Sequence, residues 1–419
     1  MRKRRDGRRR VLIAALLLSL VCSGCGNQEE QGPIVITYGT MNLDIAMENW
    51  ITSWNQSQDT YRIEVKSYEN SDTGRTQLNN EIVAGKGPDL LDLSDINVAD
   101  YAVKGILEDL YPYLDKDGQV TREMLMQGVL ESFTFDGKLC GIPMGYSFET
   151  LLGKKQKVGE AQDWTMDKML TLMQGLKEGE SLMDALSPEG FLRATLAADM
   201  GSYVDLEKGE CYFEGEGFRR LLETAAGVEV TFLPEEEHAA GLADGSILLE
   251  RAYVSDVSGY LEACNLFGGE EVSWVGFPSS QGGKAVLYTR MPIGMSSFSE
   301  KKDGAWAFIS SLLGEEFQEK YVMFLFPVRI SALEKSFEEE NNIIHDVIEG
   351  QKWIPATKEQ IEELTELINN SRSDSVYDPN IWNIVSEETA FLFDQGKDME
   401  EVMRVIQNRT LIYVQERMK

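Results

Sequence analysis

The sequence predicts an α/β protein made of two lobes, and this prediction rests on chain length and on hydrophobic patterning. A chain of 419 residues is too long for one ordinary hydrophobic core and suits two lobes of roughly 150 to 200 residues each. Between residues 34 and 105, stretches with strand character alternate with helical patterns in the order β, α, β, α, β, α. That alternation is typical of a largely parallel sheet covered by helices.

The spacing of hydrophobic residues predicts each strand and helix between residues 34 and 105. Met47, Trp50 and Ile51 are spaced i, i+3 and i+4, which places them on one face of a helix. Apolar and polar residues alternate at 61–66, which is typical of a strand with one wetter face. The predicted strands cover 34–38, 61–66 and 90–93, and the predicted helices cover 47–54, 75–84 and 98–105.

A polar turn follows the third predicted strand and contains Ser94 and Asp95. In an open α/β sheet, ligands bind in the crevice outside the carboxyl ends of the strands. We therefore expect Ser94 and Asp95 to lie at the edge of such a crevice. An ordinary βα turn with solvated polar residues is the alternative.

The rest of the chain mixes strands and helices less regularly. Asp136-Gly137 predicts a tight hairpin at 133–139, because this pair accepts the positive φ that the turn needs. Gly and Pro residues make 141–146 an extended connection between lobes. Further strands are predicted at 247–249, 272–277 and 286–288, and further helices at 163–176, 218–228, 305–312, 357–368 (with a capping box) and 399–416.

The first 24 residues have the pattern of an export signal. Basic residues up to position 10 precede an apolar run of eleven residues at 11–21, which is too short for a stable transmembrane helix. Ser23 and Gly24 before Cys25 resemble the lipobox of bacterial lipoproteins, where the signal is removed and the cysteine is lipidated. Residues 25–32 would then be a tether. Plain secretion, or lipidation at Cys22, is the alternative.

Charge and cysteine content narrow the possible partners. The first 24 residues hold 7 basic residues and 1 acidic residue, so 33 basic and 69 acidic residues remain, with a formal net charge of −36. Such a chain should repel nucleic acid and anionic lipid surfaces. Cys140, Cys211 and Cys264 form a sparse, odd-numbered set that argues against a disulfide framework, although one pair stays open.

No catalytic or cofactor signature is evident in the sequence. His238 and His345 lack partners at metal-ligand spacing, and no phosphate-binding loop or dinucleotide fingerprint follows a predicted strand. We therefore predict no metal and no cofactor. His238 follows Glu235-Glu236-Glu237, which predicts a solvated acidic loop.

Aromatic residues near predicted turns offer another kind of site. Sugar rings present flat C–H faces that pack on indole and phenol rings, while Asp, Asn, Glu and Arg hydrogen-bond their hydroxyl groups. Taken singly, each aromatic residue is more often part of a core than a ligand platform. The candidates are Tyr146, Trp164, Tyr253, Trp274, Tyr288, Trp353 and Trp382.

Several stretches in order along the chain together resemble the extracellular solute-binding lipoproteins of ABC importers, specifically their carbohydrate-binding group. Besides the N-terminus, the matching stretches are Gly87-Pro88-Asp89-Leu90, Tyr101-Ala102, 105–110, Asp136-Gly137-Lys138, Gly141-Ile142-Pro143, Val204-Asp205, Cys211-Tyr212-Phe213, Asp244-Gly245-Ser246, 294–297, 305–309 and 406–409.

The resemblance implies two α/β lobes joined by a three-segment hinge, with ligand enclosed between them. Lobe 1 would comprise 33–142 and 294–330, and lobe 2 would comprise 143–293 and 331–419. Crossings are expected near 141–146, 290–294 and 327–332. The ligand contacts implied by position are Met41, Asn42, Ser94, Asp95, Tyr146, Arg251, Tyr253 and Trp382.

The implied function is capture of a sugar or oligosaccharide in the cleft between the lobes, outside the cell, and its delivery to the transmembrane subunits of an ABC permease. The protein would be a monomer without enzymatic activity, held at the extracytoplasmic face of the cytoplasmic membrane only by its N-terminal lipid. Residues 151–155 and Ala252-Tyr253 depart from the family pattern and leave the ligand open. An exported glycoside hydrolase, a receptor for a peptide or polyamine, or a sensor are the alternatives.

Overall fold

Two larger β-sheets, two short two-stranded sheets and the surrounding helices form the part of the chain that the structure describes. The computed structural model describes residues 32–343 other than 207 and 323, together with 354–371 and 378–417. The predicted export signal, Cys25, almost all of the tether, His345 and Trp353 lie outside the described residues. Within them, no helix is long and apolar enough to cross a membrane.

The strands are β1 (Ile34–Thr40), β2 (Tyr61–Ser67), β3 (Leu90–Asp92), β4 (Thr134–Phe135), β5 (Lys138–Leu139), β6 (Gly145–Lys154), β7 (Val204–Asp205), β8 (Glu210–Cys211), β9 (Leu249–Val254), β10 (Val272–Trp274), β11 (Val286–Arg290), β12 (Ile293–Met295) and β13 (Phe326–Pro327).

The helices are α1 (Ile45–Ser57), α2 (Asp72–Val83), α3 (Val98–Val103), α4 (Tyr111–Leu114), α5 (Gln127–Glu131), α6 (Lys155–Val158), α7 (Met166–Gln174), α8 (Pro188–Asp199), α9 (Glu216–Ala226), α10 (Glu235–Asp244), α11 (Val257–Asn265), α12 (Lys302–Leu312), α13 (Glu315–Lys320), α14 (Ile330–Asn341), α15 (Lys358–Asn370), α16 (Pro379–Gln395) and α17 (Met399–Arg417).

The first sheet has the strand order β12-β3-β1-β2. β1 is parallel to both β2 and β3, and Gly39 of β1 pairs with Leu91 of β3. This confirms the parallel pairing predicted from the alternation of strands and helices. The later strand β12 then returns antiparallel to β3.

The second sheet is built around β6, which pairs antiparallel with β9 and β13 on one side and with β10 and β11 on the other. All ten residues of β6 are buried. The sequence predicted only an extended connection up to residue 146 and no central strand beyond it. β6 is therefore the main element of the fold that sequence patterning missed.

Two hydrophobic clusters hold the sheets and helices together. The first packs α1 and α12 onto the first sheet and extends onto one face of β6, with Ile36, Phe148 and Phe308 among its members. The second joins α8, α9, α16 and α17 and contains Trp382. Because buried apolar side chains pack about as densely as molecules in organic crystals, these clusters hold each sheet in a fixed position against its helices.

The predicted acidic loop around His238 is wrong, since this segment is helix α10. Negative charges are favourable in the first turn of a helix, and Glu235, Glu236 and Glu237 occupy that turn. His238 lies between two carboxylates, with Nε2 2.9 Å from an oxygen of Glu250 and Nδ1 3.3 Å from an oxygen of Asp184.

Candidate ligand-binding site

The turns after β1 and β3 meet at one edge of the first sheet and are held together by Thr40 and Asp92. The Thr40 hydroxyl donates to Asp92 Oδ2 at 2.7 Å, and the Ser94 backbone N–H donates to Asp92 Oδ1 at 3.0 Å. The Asn42 backbone N–H donates to Thr40 Oγ1 at 3.1 Å. Since the two strands are parallel and in register, the turns that carry Asn42 and Ser94 become neighbours.

Four predicted ligand contacts share this edge. Met41 is half-buried against the first cluster, whereas Asn42, Ser94 and Asp95 are exposed. Sequence reasoning did not select Asp92, although it is the one charged residue of the run Leu90–Leu93.

A second polar surface lies on one face of β6 and is centred on Glu149. Glu149 is only 5% exposed, so nearby groups have to compensate the charge of its buried carboxylate. Arg251 donates through Nε to Glu149 Oε1, and the Tyr288 hydroxyl donates to Glu149 Oε2 at 2.8 Å. Both partners are diagonal neighbours of Glu149 on the strands that flank β6.

Two tyrosine rings stand beside this carboxylate. Tyr253 is 54% exposed, and its hydroxyl lies 2.8 Å from Ser147 Oγ. The ring centroids of Tyr253 and Tyr288 are 5.7 Å apart at an interplanar angle of 58°. Burial, followed by the Glu149 charge, raises the pKa of Tyr288, so this phenol keeps its proton and donates a hydrogen bond to Glu149.

A pocket of about 400 Å³ opens beside Glu149, Arg251 and Tyr288, and α8 forms another part of its wall. This volume suits a small organic ligand. Arg193 of α8 lines the pocket and is exposed, and its guanidinium carbon lies 5.9 Å from the ring centroid of Trp382. Gly190, Ala194 and Ala197 are the small residues that α8 contributes to the wall.

The predicted ligand contact Tyr146 does not line this pocket. Successive residues of a strand point to opposite faces, so Tyr146 lies on the other face of β6 from Ser147 and Glu149. There it is fully buried, with its ring stacked on Phe326 at 5.5 Å and 24°. Tyr146 therefore lies in the core of this structure, and its role as a ligand contact stays a prediction.

The predicted ligand contact Trp382 is mostly buried and does not line the pocket. It is 8% exposed and packs in the second hydrophobic cluster, and it is not among the residues that line the pocket. Its role as a ligand contact stays a prediction.

Sequence reasoning missed Ser147, Glu149 and Arg193 entirely, and noted Tyr288 only as one aromatic among several. The available signal was the alternation in 146–149, where Ser147 and Glu149 alternate with the aromatic residues Tyr146 and Phe148.

The pocket can bind a ligand through hydrogen bonds and ring packing. Its walls offer guanidinium donors, a carboxylate acceptor and the phenol ring of Tyr288, and the exposed ring of Tyr253 stands beside Tyr288. Among the described residues, no group of three or more His, Cys, Asp or Glu side chains is arranged to hold a metal ion.

A wider cavity of about 1120 Å³ lies between α4 and α12, lined partly by Tyr113 and Trp306. Its Asp117 carboxylate is already occupied, because Trp306 Nε1 and the Ser310 hydroxyl both donate to Oδ2 at 2.8 Å. We therefore place the candidate site on the polar face of β6, where donor groups converge.

Comparison with known proteins agrees with this architecture. Residues 49–344 match the model of the family of bacterial extracellular solute-binding proteins. The chain is similar to the structure of the sugar-binding protein MalE from the phytopathogen Xanthomonas citri, with 15% identity, coverage of 91% of this chain and 98% of that chain, and a TM-score of 0.64.

Two further solved structures are similar. The cyclic alpha-maltosyl-1,6-maltose binding protein from Arthrobacter globiformis has 16% identity, coverage of 92% of this chain and 100% of that chain, and a TM-score of 0.59. An ABC substrate-binding protein from Listeria monocytogenes in complex with cycloalternan has 16% identity, coverage of 92% and 99%, and a TM-score of 0.53. The predicted two-lobed α/β fold is thus confirmed, and the chain belongs to the bacterial extracellular solute-binding proteins.

Proposed function

We propose that this protein captures a sugar or short oligosaccharide outside the cell and delivers it to an ABC permease. The observation that carries the proposal is the polar face of β6, where the rings of Tyr253 and Tyr288 stand beside the buried Glu149 carboxylate. The membership of the family and the sugar ligands of the similar solved proteins support it.

The chemistry of this face suits a carbohydrate. The C–H face of a sugar ring packs on an exposed phenol such as Tyr253, while ring hydroxyls reach charged and polar groups. Glu149 accepts hydrogen bonds, and Arg251 donates them. Charge-assisted hydrogen bonds of this kind are stronger than neutral ones, so they fix the orientation of the ligand.

The proposed site has two sides. Met41, Asn42, Ser94 and Asp95 belong to the edge of the first sheet, and the pocket on the second sheet faces the ligand from lobe 2. With lobe 1 at 33–142 and 294–330 and lobe 2 at 143–293 and 331–419, a ligand that touches both sides favours the closed arrangement through differential binding. The hinge would use the crossings near 141–146, 290–294 and 327–332.

Titration of the mature chain with mono- and oligosaccharides by calorimetry tests this function. Binding of a sugar, together with a smaller radius of gyration in X-ray scattering, is the expected result. Heat from a peptide or polyamine but from no member of a broad carbohydrate panel would overturn the proposal.

We propose further that Cys25 carries a lipid that holds the protein at the extracytoplasmic face of the membrane. The motivation is the basic and apolar signal pattern followed by Ser23, Gly24 and Cys25. In a bacterial host that processes lipoproteins, Cys25→Ser should abolish incorporation of labelled fatty acid. Cys22→Ser is the matched control and should keep the label, and loss of label only in Cys22→Ser would contradict the assignment.

The protein acts by binding and not by turnover in this proposal. Glycoside hydrolysis ordinarily uses two carboxyl groups about 5 to 10 Å apart, whereas Glu149 is the one carboxylate among the described residues that line the pocket. Chromogenic glycosides should therefore remain uncleaved by the purified protein, and sustained release of the chromophore would favour the hydrolase alternative.

A further inference from the structure

The pocket beside Glu149 carries a surplus of positive charge in a strongly acidic chain. The whole chain has a formal net charge of −30, yet the charged residues that line this pocket are Arg193, Arg251 and Glu149. Two guanidinium groups against one carboxylate leave one positive charge without an acidic partner in the wall.

Arg193 supplies this charge, which has no ion-pair partner among the described residues. Elsewhere in the described chain arginines commonly pair with carboxylates, as Arg220 does with Asp167 at 2.6 Å and Arg122 with Asp115 at 2.6 Å. Within the same described residues, Arg193 makes no hydrogen bond and no ion pair, and its recorded contact is with the ring of Trp382. No residue in the described part of the chain therefore accepts a hydrogen bond from its guanidinium group, and these donors can serve a ligand.

Arg251 adds further free donors. Its Nε–H is used by Glu149, whereas neither of its Nη groups has a partner among the described residues. Arg290 lies two residues from Tyr288 on β11, on the same face of the strand, and it too lacks an ion pair in the described chain. The pocket wall thus carries guanidinium groups from α8 and from β9, and Arg290 lies further along β11.

Glu149 determines how a ligand would be oriented in the pocket. Its carboxylate is already compensated by Arg251 and by the Tyr288 hydroxyl, so it does not neutralise Arg193. It would repel an anionic group placed against it, and it favours hydroxyl groups as neighbours. A ligand that satisfies the whole pocket therefore turns hydroxyls toward Glu149 and an anionic group toward α8.

We propose that the ligand is an acidic carbohydrate whose carboxylate is bound by Arg193 and by the free Nη groups of Arg251. This inference rests on the proposed function, because it names the sugar class for that same site. Planar guanidinium groups match carboxylates with paired hydrogen bonds. Sulfate and phosphate esters of sugars share this anionic chemistry, so the test includes them.

The experiment compares matched pairs by calorimetry at low ionic strength: glucuronate with glucose, and galacturonate with galactose, with glucose 6-sulfate and glucose 6-phosphate as further arms. We expect the uronate of at least one pair to bind about 10- to 100-fold more tightly than its neutral sugar. Tightest binding of a sulfate or phosphate ester would overturn the carboxylate assignment.

Variants separate this inference from the proposed function. Arg193→Gln should reduce affinity for the uronate more than affinity for the neutral sugar, whereas Arg62→Gln, at an exposed arginine of β2, should change neither. Neutral sugars binding as tightly as uronates would overturn the inference and leave the proposed function intact. Failure of every sugar to bind would overturn both.

Discussion

The Tyr288 hydroxyl and the buried Glu149 carboxylate meet across neighbouring strands, with Tyr288 Oη 2.8 Å from Glu149 Oε2. Arg251 engages the other oxygen, Oε1. The carboxylate is therefore held from both flanking strands, and its orientation in the pocket is set before any ligand arrives. Such preorganisation reduces the cost of binding, because fewer side chains have to be ordered by the ligand.

Tyr288→Phe should weaken binding of the best sugar ligand by about 1.5 to 3 kcal/mol, because it removes a hydrogen bond to a charged group and keeps the ring. Calorimetry measures the change. Tyr212→Phe is the matched control, since the Tyr212 hydroxyl also donates to a carboxylate, that of Glu210, at 2.6 Å outside the proposed site. Equal losses in the two variants would argue against a role for Tyr288 in the site.

Tyr253→Ala should lower affinity for the sugar by about 1 to 3 kcal/mol, because the exposed ring would no longer pack on the ligand. Little stability should be lost, since more than half of this residue is exposed. Affinity from calorimetry and the melting temperature together distinguish the two effects. Unchanged affinity would remove Tyr253 from the site, and Tyr212→Ala serves as the control for loss of a partly exposed tyrosine.

Trp382→Ala should act mainly on stability. The side chain packs among Ile381, Val385 and other members of the second cluster, and loss of a buried tryptophan costs about 3 to 5 kcal/mol. Denaturant unfolding measures this cost. Trp382→Phe keeps an apolar ring, so it reports on binding in a folded protein. A large loss of sugar affinity in Trp382→Phe would support the ligand contact, and unchanged affinity would make Trp382 a core residue.

Local patterns predicted local structure well. Trp50 and Ile51 lie on the buried face of α1 as their spacing indicated. The capping box of α15 is present, with hydrogen bonds in both directions between Thr357 and Gln360. In each case the interaction lies within one or two helical turns, so the sequence alone contains the necessary information.

The candidate site depends on contacts between residues that are far apart in the sequence. Local patterns do not predict such contacts. Glu149 is stable inside a buried strand because Arg251 and Tyr288 compensate it, and these partners lie 102 and 139 positions away. A local pattern cannot reveal such compensation. Tyr146 was selected from the resemblance and not from a strand pattern, and because side chains alternate along a strand, its neighbour Ser147 is the residue on the polar face.

Asp89 gives a prediction for the dependence of stability on pH. Burial would raise its pKa, but hydrogen bonds from the Thr37 backbone and hydroxyl, Ser299 and Lys301 together hold the pKa below the ordinary aspartate value of 3.8. The unfolded chain therefore takes up a proton at a higher pH than the folded chain. This contribution to stability is complete above the unfolded-state pKa and is lost as the pH falls through the folded-state pKa.

Asp89→Asn should consequently lower the free energy of unfolding by about 1.5 to 3 kcal/mol at pH 7, and the deficit should shrink as the pH falls below about 4. Denaturant titrations at a series of pH values measure it. Asp59→Asn is the matched control, because Asp59 is exposed and the same charge is lost without breaking this network. A deficit for Asp89→Asn that stays constant down to low pH would mean that packing, and not the ionised carboxylate, stabilises this junction between β1 and the turn before α12.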